Sequence, residues 1–152
     1  MILPVLKIAI PLFCAHVIGD FILQTDDNVD RKGQLLVLLK HVFWIALISY
    51  ILVGIINAWP IAVVIMVSHA VIDFIKQKFQ MTNLKVFVYD QLAHFGVIIL
   101  LSYYIATKDL YPQSSIWFEY FGMAFYSLQV FVIGAVVCIY VGGTFVGLGV
   151  QP

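Results

Sequence analysis

The chain has 152 residues, of which 63% are hydrophobic and 11% are charged. A soluble domain carries roughly 25% charged residues, so this chain cannot cover a water-facing surface. The composition predicts one integral membrane domain over residues 1–152, with the lipid bilayer as its surroundings. The eight basic residues balance the eight acidic residues, so the chain has no excess of positive charge with which to bind a nucleic acid.

Five segments, taken in chain order, are apolar over the length of about 20 residues that a helix needs to cross the hydrocarbon core. They are residues 2–23, 35–56, 60–79, 84–106 and 120–147. The first segment differs from a secretory signal peptide, because it lacks a small-residue cleavage pattern and carries Asp20 near its end. The sequence therefore predicts an all-α membrane protein with about five transmembrane helices.

Basic residues near the ends of the spans predict the orientation of the chain, because cytoplasmic loops carry an excess of Lys and Arg. The first and third loops hold or adjoin most of them, namely Arg31, Lys32, Lys40, Lys76, Lys78 and Lys85. The opposite side has Lys7 and Lys108. We therefore expect loops one and three and the C-terminus to face the cytoplasm.

The chain matches itself at an offset of 53 residues, which indicates a duplicated helix hairpin. AHVIGDFILQ (15–24) lies over SHAVIDFIKQ (68–77), and the match continues without a gap into the next span of each copy. Twelve of the 35 positions from 16 to 50 are identical to the residue 53 positions later: His16, Asp20, Phe21, Ile22, Gln24, Lys32, Leu39, His41, Ile45, Leu47, Ser49 and Tyr50. The polar identities carry this match, since shared Leu and Ile are common in any apolar chain.

Each copy of the repeat contains two spans, so the two copies have the same orientation and are related by an axis along the membrane normal. The first copy covers approximately residues 2–56 and the second approximately 60–106. The C-terminal helix, approximately 120–147, lies outside the repeat. The predicted fold is thus a pseudo-two-fold four-helix bundle with one further helix.

Seven His and Asp residues fall inside the first four spans. They are His16, Asp20, His41, His69, Asp73, Asp90 and His94. Six of them form pairs spaced i,i+4, and each pair therefore shares one helix face. Counted from the predicted cytoplasmic ends at about 1.5 Å per residue, the seven occupy a band about 10 Å thick in the inner half of the bilayer. Ionisable groups at this depth need mutual partners.

A divalent metal site is the leading interpretation, and imidazole with carboxylate suits zinc, manganese or iron. The repeat predicts two equivalent ligand sets: His16, Asp20 and His41, and His69, Asp73 and His94. Asp90 is an extra carboxylate, because its counterpart is Val37. It is the candidate catalytic residue, either as a bridging ligand or as the base that activates a metal-bound water. Gln24 and Gln77 are candidate donors to the ligands, or interfacial polar residues.

Three functions stay open on this pattern. A metal site near the cytoplasmic surface admits water and favours a hydrolase acting on a membrane-associated substrate. Chains of Asp and His side chains also serve proton- or cation-coupled transport. Asp–His hydrogen bonds can equally hold together a structural or partner-binding membrane subunit. Separately, the spacing Gly143-x3-Gly147 predicts close helix packing, either on the bundle or in a homodimer.

The three segments with His/Asp motifs together resemble a known family. AHVIGDFILQTD (15–26), SHAVIDFIK (68–76) and VYDQLAHFGVII (88–99) are similar in order to the domain-of-unknown-function family 3307, and VGGTFVGLGVQP (141–152) looks like its glycine-rich end. The resemblance implies a small multi-pass protein of the bacterial inner membrane and carries over no catalytic role. More distantly, the His/Asp layout looks like that of small inner-membrane proteins described as metal-dependent hydrolases, which is an analogy only.

Overall fold

The helices form because apolar residues dominate each span, and their polar ends connect through short segments. A computed structural model describes residues 2–24, 35–78, 84–111 and 115–149. The main helices are α1 (Ile2–Phe21), α2 (Leu35–Val53), α3 (Trp59–Lys78) and α4 (Leu84–Lys108). A short helix, α5 (Ile116–Phe121), precedes α6 (Met123–Val136), a π-helical turn (Val137–Val141) and α7 (Gly142–Gly149).

The structure confirms the prediction of an all-α membrane-type fold. Five helical stretches are long and apolar enough to cross a membrane: Ile2–Phe21, Leu35–Val53, Ile56–Lys78, Leu84–Lys108 and Met123–Gly147. Most of the predicted first loop, including Arg31 and Lys32, lies outside the described residues. The same holds for residues 79–83 and 112–114 and for the last three residues of the chain.

The fifth span begins at Met123 and not at residue 120, because the helix is broken at Gly122. This glycine has a φ of +57°, a left-handed conformation that disfavours any residue with a Cβ. Its N–H closes α5 by donating to the Phe118 carbonyl. Further along, a Cβ added at Gly143 or Gly147 would meet no neighbouring helix or side chain of the described residues within 4 Å. The homodimer through these glycines therefore stays a prediction.

The first four long helices pack in a closed ring. α1 contacts α2, α2 contacts α3, α3 contacts α4, and α4 contacts α1. In this ring α1 lies diagonally opposite α3, and α2 opposite α4, which are the pairs that the repeat matches. The arrangement agrees with a pseudo-two-fold bundle, while the duplication itself stays a prediction. α6 packs against α1 outside the ring.

The bundle interior is apolar towards one end and polar towards the other. Leu12, Ile45, Ile65 and Ile98 are buried side by side in the apolar part. Large apolar side chains on the outer faces are exposed, including Leu100 at 69% and Phe131 at 72%. Exposed apolar surface of this extent suits lipid and not water. The polar part of the interior holds the predicted cluster.

Two close approaches hold the helices in place. A Cβ added at Gly19 of α1 would lie 2.3 Å from Cγ1 of Ile45 on α2, so glycine lets these two helices come together. At the end of α2, Gly54 has a φ of +63° and faces the Trp117 ring of α5. The Trp117 indole N–H donates to the Ile51 carbonyl, and the Ile116 N–H donates to the Gly54 carbonyl.

Candidate metal centre

All seven predicted side chains meet inside the ring of helices. His16 and Asp20 come from α1, His41 from α2, His69 and Asp73 from α3, and Asp90 and His94 from α4. Each of these side chains is at most 9% exposed. All lie within about three helical turns of the predicted cytoplasmic helix ends. The structure thus brings the set together, while the role of each residue as a ligand stays a prediction.

Three ligand atoms form a nearly equilateral triangle, which we call the ligand triangle: Asp20 Oδ1, His41 Nε2 and His69 Nε2. The carboxylate oxygen lies 3.2 Å from each of the two nitrogens. The two nitrogens lie 3.3 Å from one another. The triangle joins three helices of the ring, and its three residues form one of the groups that could hold a metal ion.

Hydrogen bonds do not satisfy the ligand triangle. One imidazole N–H can donate to the other ring nitrogen, but a ring nitrogen that donates cannot also accept. Among the described residues, Asp20 Oδ1 is buried without a hydrogen bond, although it lies 3.2 Å from both ring nitrogens. A buried carboxylate oxygen without a hydrogen bond is unfavourable, and the three atoms together could hold a cation.

The size of the triangle matches the coordination shell of one ion. Zinc binds His nitrogen and carboxylate oxygen at about 2.1 Å, which places tetrahedral ligands about 3.4 Å apart. The observed separations of 3.2–3.3 Å are close to that value. Tetrahedral binding by these three atoms leaves one position open for a water or a substrate, as catalytic zinc sites do.

A second and looser group consists of Asp73, Asp90 and His94. His94 Nε2 lies 3.7 Å from Asp73 Oδ1 and 3.7 Å from Asp90 Oδ1. Both His94 Nε2 and Asp90 Oδ1 are buried without a hydrogen-bond partner among the described residues. The other oxygen of Asp73 lies 3.6 Å from His41 Nε2 and 3.8 Å from His69 Nε2. Asp73 therefore has one oxygen in the second group and the other near the ligand triangle.

His16 and His69 do not lie in the ligand sets to which the repeat assigns them. His69 joins Asp20 and His41, because residues of the diagonal helices α1 and α3 meet on the bundle axis. His16 Nε2 lies 3.3 Å from Gln91 Oε1, and an amide oxygen only accepts, so His16 donates there. The His16 ring remains close to His94, with ring centroids 4.8 Å apart. His16, His69 and His94 together form a third possible ligand group.

Sequence reasoning missed two residues of the site, Lys76 and Gln91. Lys76 Nζ donates to Asp90 Oδ2 at 2.6 Å, and Gln91 Nε2 donates to the same oxygen at 3.3 Å. A signal was present in the repeat, because Lys76, Asp90 and Gln91 stand where the first copy has Leu23, Val37 and Leu38. The polar departures from the repeat therefore cluster in space.

Two further features lie next to the site. A small cavity of about 10 Å³ is bordered by His16, His69, His94 and apolar neighbours, which is about the space for one water molecule. Gln77 Nε2 is buried without a hydrogen-bond partner among the described residues. Through that nitrogen it gives Asp73 no support, and the ligand-supporting role predicted for Gln24 and Gln77 stays a prediction.

Comparison with known proteins gives one match. No curated protein and no solved structure matches the chain. The sequence profile described as "Protein of unknown function (DUF3307)" matches residues 8–120, which include all seven residues of the cluster. The family resemblance seen in the His/Asp segments is thereby confirmed, and the chain belongs to the DUF3307 family.

Proposed function

We propose that this protein binds a divalent metal ion within the membrane, at the ligand triangle of Asp20, His41 and His69. The observation that carries the proposal is the 3.2–3.3 Å triangle, whose buried carboxylate oxygen has no hydrogen bond among the described residues. Two imidazoles and a carboxylate favour zinc, with manganese or iron as alternatives, over calcium or magnesium. Neutral imidazoles serve as ligands without adding charge to the bilayer interior.

We further propose that the bound ion serves hydrolysis. Three protein ligands with one open position are the pattern of catalytic zinc sites, whereas structural sites are closed by four protein ligands. The ion would supply Lewis acidity to the substrate. The one-water cavity beside His16, His69 and His94 gives room for a reactant next to the cluster.

Two carboxylates are available to accept a proton from the attacking water. Asp90 was the candidate from the sequence, but its Oδ2 is held by the Lys76 ammonium at 2.6 Å. Asp73 lies closer to the ligand triangle, at 3.6 Å from His41 Nε2. We therefore assign the base to Asp73 and keep Asp90 as the carboxylate that pairs with Lys76.

The depth of the cluster points to a membrane-associated substrate. The ligands lie within about three turns of the helix ends that carry Lys76, Lys78 and Lys85. The excess of Lys on that side favours the cytoplasmic face of a bacterial inner membrane. A substrate held in the inner leaflet would meet the ion without leaving the bilayer.

Metal content tests the binding. Purified protein should retain close to one zinc, manganese or iron ion per chain after mild desalting, and Asp20→Asn should lose most of it. Asparagine keeps the size of the side chain and removes the charge that the ion neutralises. Asp109→Asn is the matched control, since Asp109 lies just beyond α4, at its opposite end, and should leave the metal content unchanged. A metal-free wild-type protein would rule out the proposal.

The hydrolytic step is tested without knowing the substrate. Metal-loaded protein in vesicles of bacterial inner-membrane lipid extract, incubated in ¹⁸O-labelled water, should introduce the label into a product. Compared at equal metal content, Asp73→Asn should lower this incorporation by about 100-fold or more, because the proton acceptor is removed. Full metal occupancy in wild type with no incorporation would contradict the hydrolase and leave the metal site standing.

A further inference from the structure

The offset of 53 residues identifies the atoms that would mirror the ligand triangle. Across the pseudo-two-fold axis, Asp20, His41 and His69 correspond to Asp73, His94 and His16. Asp20 lies 3.2 Å from His41, but the matching distance from Asp73 to His94 is 3.7 Å. The third member, His16, donates its Nε2 proton to Gln91. The ligand atoms of the first set therefore lie close together, whereas those of the second set lie further apart.

The residues that open the second set are those that depart from the repeat. Gln91 replaces Leu38 and takes the His16 nitrogen. Asp90 replaces Val37 and adds a carboxylate, and Lys76 replaces Leu23 and pairs with that carboxylate at 2.6 Å. The Lys76 side chain is 36% exposed and reaches inward to an oxygen of a side chain that is only 3% exposed. A cation thus already stands in the second half of the site.

The charges of the cluster agree with this assignment. Asp20, Asp73 and Asp90 carry three negative charges, and the Lys76 ammonium offsets one of them. The remaining charge equals that of one divalent ion when the imidazoles are neutral. Uncompensated charge is strongly disfavoured at this depth, so a second divalent ion would leave the described cluster with an excess of positive charge.

Building on the proposed metal binding, we propose that the site holds a single divalent ion at the ligand triangle, and that Lys76 takes the place of a second ion. Gln91 adds to this effect, because its hydrogen bond holds His16 Nε2 away from the second position. The site is therefore mononuclear despite its repeated ligands. Lys76 sets the number of ions bound, and does so from outside the ligand triangle.

Counting bound ions in the full chain tests the proposal. Protein in detergent is saturated with zinc, desalted and measured for zinc ions per chain by native mass spectrometry. Wild type should bind one ion. Lys76→Leu, which restores the residue of the first copy, should bind two, because the Asp90 oxygen that Lys76 holds in wild type is then available to a second ion. Lys76→Leu/Asp90→Val should return to one. Lys78→Leu is the control, since Lys78 is exposed, and should stay at one.

The outcomes separate this proposal from the one on which it rests. Two ions in wild type would overturn the mononuclear site and leave metal binding intact. No ion in wild type would overturn metal binding itself. A folded Lys76→Leu protein that still binds one ion would remove the role of Lys76. If Lys76→Leu does not fold, the wild-type count still decides, together with Lys76→Arg, which keeps the cation and should bind one ion.

Discussion

The ionisable side chains of the cluster gain stability only when they have partners. An Asp at the centre of a membrane span costs about 2.5–3.5 kcal/mol, and each unpaired buried group about 1–3 kcal/mol. Within the described part of the chain, Asp20 Oδ1, Asp90 Oδ1 and His94 Nε2 have no hydrogen bonds. The proposed divalent ion would offset this penalty at Asp20 directly, which is the physical reason to prefer a metal over a purely hydrogen-bonded cluster.

Gly54 is a residue whose conformation decides whether a side chain is tolerated. Gly54→Ala is expected to destabilise the protein by about 1–3 kcal/mol, because φ is +63° and the new Cβ would lie 2.4 Å from Trp117 Cδ1. The measurement is thermal unfolding in one detergent. Gly96→Ala is the control, since its Cβ would meet nothing within 4 Å, and it should be neutral or stabilising by up to about 1 kcal/mol. Equal losses in both variants would contradict the role of Gly54.

At the scale of the helices, the approach of α1 to α2 positions two of the three members of the ligand triangle. Gly19 precedes Asp20 directly, and its open side receives Ile45, which is 1% exposed. Helices carrying larger residues at both positions would pack further apart. Because His41 sits one turn before Ile45 on α2, the distance between these helices also sets the distance from Asp20 to His41.

A double-mutant cycle checks this packing. Gly19→Ala should destabilise by about 1–3 kcal/mol through overpacking, and Ile45→Ala by about 2–5 kcal/mol through a cavity. The double variant should lose less than the sum, because the alanine at 19 then enters the space left by Ile45. Chemical or thermal unfolding of the four proteins gives the coupling. Additive losses would show that the two residues do not share this space.

Whole-molecule features were the most predictable from sequence, and side-chain pairings the least. Uninterrupted apolar runs and the common depth of His and Asp led to the helices and to the seven clustered residues. The pairing of His69 with Asp20 depends on which residues of diagonal helices meet at the axis, and spacing along one helix does not contain that information. The sequence indicates Lys76 only as a basic residue that orients the chain. Its contact with Asp90 joins two helices, and spacing along one helix does not reveal it. The break at Gly122 depends on a single backbone angle.

The orientation of the whole molecule is a further prediction. In a chain without Cys14 and Cys138, Lys108→Cys should react with a membrane-impermeant maleimide added to intact spheroplasts. Lys78→Cys should react only after the membrane is permeabilised. These results are expected because the basic residues concentrate on the side of Lys78. The reverse labelling pattern would place the cluster near the outer leaflet instead.

The apolar layer of Leu12, Ile45, Ile65 and Ile98 lies directly against the imidazoles. This layer is a barrier to ions, because an ion entering it would lose its hydration without gaining a polar contact. An ion that reaches the histidines must therefore enter and leave at the polar end of the bundle. Conduction of an ion across the bilayer through this bundle would require these four apolar side chains to separate.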